Sequence, residues 1–166
     1  MKQIWKCSLI IAFLVMGDQL LKGTVQSFYQ VNNYEEVTSY LWVGHTQNYG
    51  FLFGTGVNWP SFVRWPLLYI LPVLLQFYFL KLIIIYRFAN FRRLLAYTLI
   101  TTGLFGNFLD RIIYGHVVDF ISIGPRGSLS PSFNTSDIFI VIGAIIYLYL
   151  RVMDDLKDEA NPLTIK

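Results

Sequence analysis

The chain has little charge. Lys, Arg, Asp and Glu supply 14% of its 166 residues, against the ~25% usual in a soluble domain, which excludes a globule with an ordinary water-facing surface. Cysteine is nearly absent. Cys7 stands alone, so no intramolecular disulfide can form, and its apolar setting makes it a packing residue rather than a lipidation site. The only histidines, His45 and His116, both fall in predicted loops and need a specific partner to act. Without clustered His, Cys or Glu there is no zinc ligand set, and no Ser–Lys or Ser–His arrangement offers a nucleophile. Residues 26–61 contain no Lys or Arg at all.

What is present is hydrocarbon: 55% of residues are hydrophobic, and the mean hydropathy is +0.51. Four apolar stretches, 4–25, 62–86, 94–113 and 136–152, each approach the ~20 residues that cross a bilayer core. This predicts an all-α membrane protein of four transmembrane helices, a single polytopic domain over 1–166. Lys2 and Lys6 before the apolar run Ser8 to Gly17 imitate a signal peptide. No small-x-small cleavage site follows, and Asp18 and Lys22 stand where one would lie, so the first span is expected to be retained. Arg87, Arg92 and Arg93 occupy the short connection between the second and third spans. By the positive-inside rule the termini and this connection are cytoplasmic, while 26–61 and 114–135 face out.

The outer segment 26–61 carries Tyr34, Tyr40, Trp42, Tyr49 and Trp59 and reads as a small β-rich, aromatic piece on the membrane surface, extended near 37–43 and 48–56. Pro72 is expected to kink the second span. The tail 153–166 is read as charged, frayed and cytoplasmic. The net charge of +3 is dispersed and gives no sign of a nucleic-acid partner.

Two carboxylates bracket the loop between the last two stretches: Asp119 in Val117-Val118-Asp119-Phe120, and Asp137 in Phe133-Asn134-Thr135-Ser136-Asp137. A carboxylate beside hydrocarbon is costly. If spans three and four are antiparallel, both lie at the same outer level. There they can share a proton, one polarising a carbonyl while the other activates water, as in an aspartic protease. Alternatively Asp119 ends a strand, and Asp137 caps a helix whose dipole favours an acid in its first turn. Asp18 and Lys22, four apart, share a helix face as a simple charge pair or as support for a site. Asn48 and Gly50 fit a turn or a groove. Asn107 and Asn134 fit interhelical hydrogen bonds or the orientation of a carboxylate, and Gly103 and Gly106 fit close helix approach. Arg111 pairs with Asp110 or with loop carbonyls.

Taken together, these blocks resemble the bacterial lipoprotein signal peptidases (signal peptidase II). Asp18-Gln19-Leu20-Leu21-Lys22 looks like that family's D-Q-x-[ST]-K motif, and Asn48-Tyr49-Gly50-Phe51-Leu52-Phe53-Gly54 like N-x-G-A-A-F-G. Gly103 to Arg111 with Val117 to Phe120 looks like G-x-x-G-N-x-x-D-R…V-V-D-F, and Phe133 to Asp137 like F-N-x-A-D. The blocks occur in the family's order over 18–137. The resemblance implies that Asp119 and Asp137 are a catalytic dyad, supported by Asp18, Lys22, Asn48, Gly50, Asn107, Asp110, Arg111 and Asn134. It implies an intramembrane aspartic endopeptidase that cuts prolipoproteins just before a diacylglyceryl-modified cysteine, at the outer face of the bacterial inner membrane. Neither cofactor nor metal is implied; the partners are lipid-modified precursors and membrane lipid, and the chain is expected to be monomeric.

Departures from the pattern are Leu21 for a hydroxyl residue, Phe51 and Leu52 for small ones, Thr102 for Gly and Ser136 for Ala. The bulky pair bears on groove width and on sensitivity to the family's cyclic peptide inhibitors, and Ser136 offers a hydroxyl to the dyad. Rival readings are a non-catalytic relative acting as an immunity factor, and a proton-relay transporter using Asp18, Asp110, Asp119 and Asp137. A presenilin-like protease is disfavoured, because no Gly-x-Gly-Asp occurs.

Overall fold

In the computed structural model, residues 2–51, 54–88 and 91–160 are described. The first helix, α1 (Lys2–Phe28), is 27 residues long, about 40 Å at 1.5 Å per residue. Its exposure pattern is inverted relative to a soluble helix. Trp5, Leu9, Phe13, Met16 and Leu20 form an exposed apolar stripe, while Asp18 and Lys22 lie on the buried side with Cys7, Val15 and Val25. A stripe of that spacing facing outward, with the charges inside, is what a lipid solvent selects.

After α1 come strands β1 (Tyr34–Thr38) and β2 (Leu41–Asn48). A short helix α2 (Ser61–Trp65) runs through a π turn (Pro66–Ile70) into α3 (Leu71–Ile85). Pro72 cannot donate to the turn before it, and the wide turn directly upstream absorbs that defect. Then follow α4 (Phe91–Tyr114), β3 (Val117–Ile123) and α5 (Thr135–Ala160). The sheet is antiparallel in the order β1-β2-β3. Its third strand comes from the 114–135 connection, so the β-rich segment is not confined to 26–61 as expected. Long-range pairing supplied a strand that local pattern did not separate from a loop. The last helix also outruns its predicted end at 152, reaching Ala160 where a frayed tail was expected. Met153, Leu156 and Lys157 are good helix formers; positions 161–166 lie outside the described residues.

Among the described residues, three helices are long and apolar enough to cross a membrane: Gln3–Phe28, Ser61–Ile85 and Thr135–Lys157. The predicted third span, α4, is as long as these at 24 residues but more polar, for a structural reason. It is the central element, with α1, α3 and α5 packed on it. Its buried face therefore carries Thr98, Thr101, Thr102, Gly103, Gly106, Asn107 and Asp110.

Glycine sets the α4–α5 distance. A Cβ on Gly103 would lie 2.2 Å from the Ser136 carbonyl, and one on Gly106 would lie 2.1 Å from the Ser136 hydroxyl and 2.8 Å from Asp18 Oδ2. Gly103→Ala is expected to destabilise by about 1–3 kcal/mol, the usual cost of overpacking. Gly106→Ala should be partly rescued by Ser136→Ala, which removes the closest atom, whereas Gly103→Ala should not, because its obstacle is backbone. Thermal unfolding of the four variants in detergent checks this, and equal rescue of both would refute it.

Candidate active site

Sheet register brings the first aspartate into place. Thr46 lies opposite Asp119, and Asn48 opposite Val117, across β2 and β3. Residues two apart on a strand share a face, so Asn48 and Asp119 are diagonal neighbours. Asn48 Nδ2 donates to Asp119 Oδ2 at 2.9 Å, while its Oδ1 accepts from the Gly50 amide at 2.9 Å.

A one-residue bridge supplies the second aspartate. Phe133 pairs with Ile121, which lays the chain alongside β3 immediately before α5 begins. Asn134 is then the helix cap: its Oδ1 accepts from the Asp137 amide at 3.0 Å, and Asp137 Oδ2 accepts from the Asn134 amide at 3.1 Å. This reciprocal pair is a capping box with Asp at its third position. The remaining donor, Asn134 Nδ2, reaches Asp119 Oδ1 at 2.6 Å. One asparagine thus ties both carboxylates together. The helix-cap position expected for Asp137 is present, and the same asparagine holds Asp119 beside it.

Behind the pair lies a buried ionic cluster. Lys22 is fully buried and contacts Asp18 and Asp110, each at 2.8 Å. It also donates to Asn107 Oδ1 at 3.1 Å, which orients the Asn107 amide so that its Nδ2 donates to Asp137 Oδ1 at 2.8 Å. Asp18 accepts from the Ser136 amide at 3.0 Å and from the Thr135 hydroxyl, so α1 caps α5. Asp110 accepts from the Val118 amide at 3.1 Å, which ties α4 to β3. Asp110 therefore pairs with Lys22. Arg111 takes the carbonyl alternative, donating to Asn107 O at 3.2 Å and Gly50 O at 3.3 Å.

Asp119 and Asp137 line one cavity of about 240 Å³ with Asn48, Asn107 and Arg111, its walls otherwise apolar. Asn48 and Asp119 also border a second, more open groove of about 490 Å³ over the sheet. Hydroxyls of Tyr34, Thr46, Ser122 and Ser132 are hydrogen-bonded to one another there. Burial, and after it the charge of Asp137, push the Asp119 carboxyl up to about 7, against the amides of Asn48 and Asn134. It therefore exchanges a proton near neutrality.

The signal peptidase (SPase) II family pattern matches residues 10–153. The chain belongs to the signal peptidase II family. Lipoprotein signal peptidases similar to it include that of Serratia marcescens, 34% identical over 84% of this chain and 80% of its own. That of Syntrophomonas wolfei is 31% identical over 96% and 99%. A bacterial membrane enzyme solved by the in meso method at 2.3 Å superposes with a TM-score of 0.75 at 26% identity, covering 95% of this chain and 92% of that one. Family membership and the apolar helices make this chain an integral membrane protease concerned with lipoprotein processing.

Two residues of this signal peptidase II site escaped the sequence reading. Gln19 donates to Asp110 Oδ1 at 2.8 Å, and Thr135 bonds Asp18. Both sit inside the quoted blocks, which was their one available signal. Two expectations need correction. Ser136 gives no hydrogen bond to the dyad; its buried hydroxyl has no partner among the described residues and packs against Gly106. His45 lies within β2 rather than a loop, its Nδ1 3.2 Å from Tyr29 O. His116 does lie in a loop, between α4 and β3, buried between the rings of Tyr49 and Tyr114, and burial holds it below the ordinary imidazole range. Phe51 does line the dyad cavity; Leu52 and Phe53 lie outside the described residues.

Proposed function

We propose that this chain is an aspartic endopeptidase that removes the signal peptide from diacylglyceryl-modified prolipoproteins, cutting just before the lipidated cysteine at the outer face of the bacterial inner membrane. The observation that carries the reading is Asn134, whose side chain and amide join Asp119 to Asp137 on one cavity. The names of the relatives supply the substrate class. In this reading α4 is the third of four spans and both termini are cytoplasmic, in keeping with the arginines of its leading connection.

The proton balance follows from the cluster. Lys22 and Arg111 are two cations facing four carboxylates (Asp18, Asp110, Asp119 and Asp137). Retaining one proton on the dyad lowers that excess, and Asp119 holds it. Asp137, at the positive end of α5, takes a proton from the attacking water while Asp119 protonates the scissile carbonyl oxygen. The tetrahedral intermediate collapses as Asp137 passes its proton to the leaving nitrogen and Asp119 recovers its own. A precursor held by its signal helix and acyl chains presents the bond beside the apolar cavity, and the mature segment can follow the hydroxyl-lined groove.

Purified protein in liposomes should release the signal peptide from a diacylglyceryl-cysteine precursor and leave the unlipidated precursor intact. Cleavage of both at the same rate would reject the substrate assignment. Failure to cleave either would favour the non-catalytic relative. The pH profile is a separate check. Catalysis needs the singly protonated dyad, so kcat/KM should fall as pH rises through about 7, the value for Asp119. Asn48→Ala removes a hydrogen bond that favours the Asp119 anion, so the alkaline limb should move to higher pH. A limb that stays in place would remove Asn48 from the dyad's electrostatics.

A further inference from the structure

At the far end of the bundle from the dyad, α3, α4 and α5 leave a cleft of about 180 Å³. Arg93 marks its position on α4, fourteen residues from Asn107, or about 21 Å along the helix. Arg93 and Arg151 enter its lining together with Tyr78, Tyr86, Tyr97 and Tyr147.

Three features make this cleft more than a packing gap. First, the four tyrosine rings pack against one another or on Phe79, yet none of their hydroxyls has a hydrogen-bond partner among the described residues. They are four unspent donors around one space, and Tyr97 is only 5% exposed. Second, Arg93 spends one nitrogen on Asp154 and lies 5.9 Å from the Tyr86 ring, leaving most of its five N–H donors open. Arg151 is held only loosely, 3.4 Å from Asp155 and largely exposed. Third, the chain from Lys81 to Arg93 carries four cations (Lys81, Arg87, Arg92 and Arg93) and no carboxylate, so the α3–α4 side of the rim is basic, with the acids Asp154 and Asp155 on the α5 side.

Arginines and tyrosine hydroxyls converging between helix ends match the phosphate of a lipid headgroup in charge and in donor count. Basic pockets between membrane helices bind anionic headgroups for the same reason. We propose that this cleft is a binding site for the phosphodiester of an anionic phospholipid, seated between α3, α4 and α5 and separate from the catalytic cavity. Its occupant bridges the three helices at the end where no sheet ties them together. The reading is independent of the protease mechanism.

The test is thermal unfolding of the intact protein in zwitterionic micelles, titrated with phosphatidylglycerol, with phosphatidylcholine or with inorganic phosphate. Phosphatidylglycerol should raise the Tm saturably, and the other two should not. Arg151→Gln leaves the buried packing untouched and should weaken the apparent affinity about fivefold, in line with the contribution of one surface cation at a membrane. Arg126→Gln, in an exposed loop at the dyad end, should leave it unchanged. Equal responses to the two lipids would overturn the proposal, as would an Arg151→Gln curve that overlays the wild type. Inorganic phosphate matching phosphatidylglycerol would overturn it too, because the site would then not be one for lipid.

Discussion

Asp119→Asn and Asp137→Asn are each expected to reduce cleavage of a lipidated precursor by at least the ~10²–10⁴-fold that one general acid or base contributes. The double variant should be hardly worse than either, because the two groups share one proton and act as a unit. The Asp119 variant separates catalysis from folding by the sign of its effect on stability. In the fold, burial pushes Asp119 up to about 7, whereas an unfolded Asp titrates near 3.9. Between these values the unfolded chain releases its proton first. The native state is therefore favoured below about pH 4, and that advantage is lost as pH rises to about 7, roughly 4 kcal/mol at 1.36 kcal/mol per unit. An Asn at 119 carries no such burden. At pH 8 the inactive variant should melt no lower than the wild type, the gain being offset in part by weaker bonding to Asn48 and Asn134. An Asp119→Asn protein that is folded and still processes precursor at the normal rate would end the dyad assignment.

In cells, precursor should accumulate when the protein is absent and be processed again when the wild type is restored, but not with Asp137→Asn. That experiment reads the same residue against its natural substrates and membrane.

Much of this was legible in the sequence because membrane physics writes in long, simple patterns. Runs of about twenty apolar residues and the placement of Arg87, Arg92 and Arg93 gave the helices their positions. The blocks around Asp18, Asn48, Asn107 and Asp137 named residues that the fold gathers within one hydrogen-bonded network. What stayed hidden depends on pairings across long stretches of chain. Strand β3 exists because β2 is there to pair with it, and Phe133 reaches Ile121 only once that strand has formed. The direction of Arg111 likewise depends on where the chain brings the Gly50 carbonyl, and the silence of the Ser136 hydroxyl on the α4–α5 distance set by Gly103 and Gly106. The weak hydropathy of α4 carried two messages at once, a helix near the limit for a span and a helix wrapped by its neighbours; the fold separates them.

Lys22→Met should be the most destabilising single change in the bundle. The lysine is fully buried and holds Asp18 and Asp110 at 2.8 Å each. Removing it leaves two carboxylates without their counter-ion, and breaking a buried pair in this way costs about 3–5 kcal/mol. The loss would spread, since Asp18 caps α5 and Asp110 anchors β3 through Val118. Activity should fall as well, because the Asn107 amide loses the donor that fixes its orientation toward Asp137. Adding Asp110→Asn to Lys22→Met should restore part of the lost Tm by neutralising one orphaned charge, with Gln19 still available to the new amide. Activity should recover less than stability does, because Asn107 remains unsupported. If Lys22→Met melts within a degree or two of the wild type, the charges must be exchanging with water. In that case the triad would be a surface-like pair of little worth rather than the foundation on which Asn107 and Asp137 stand.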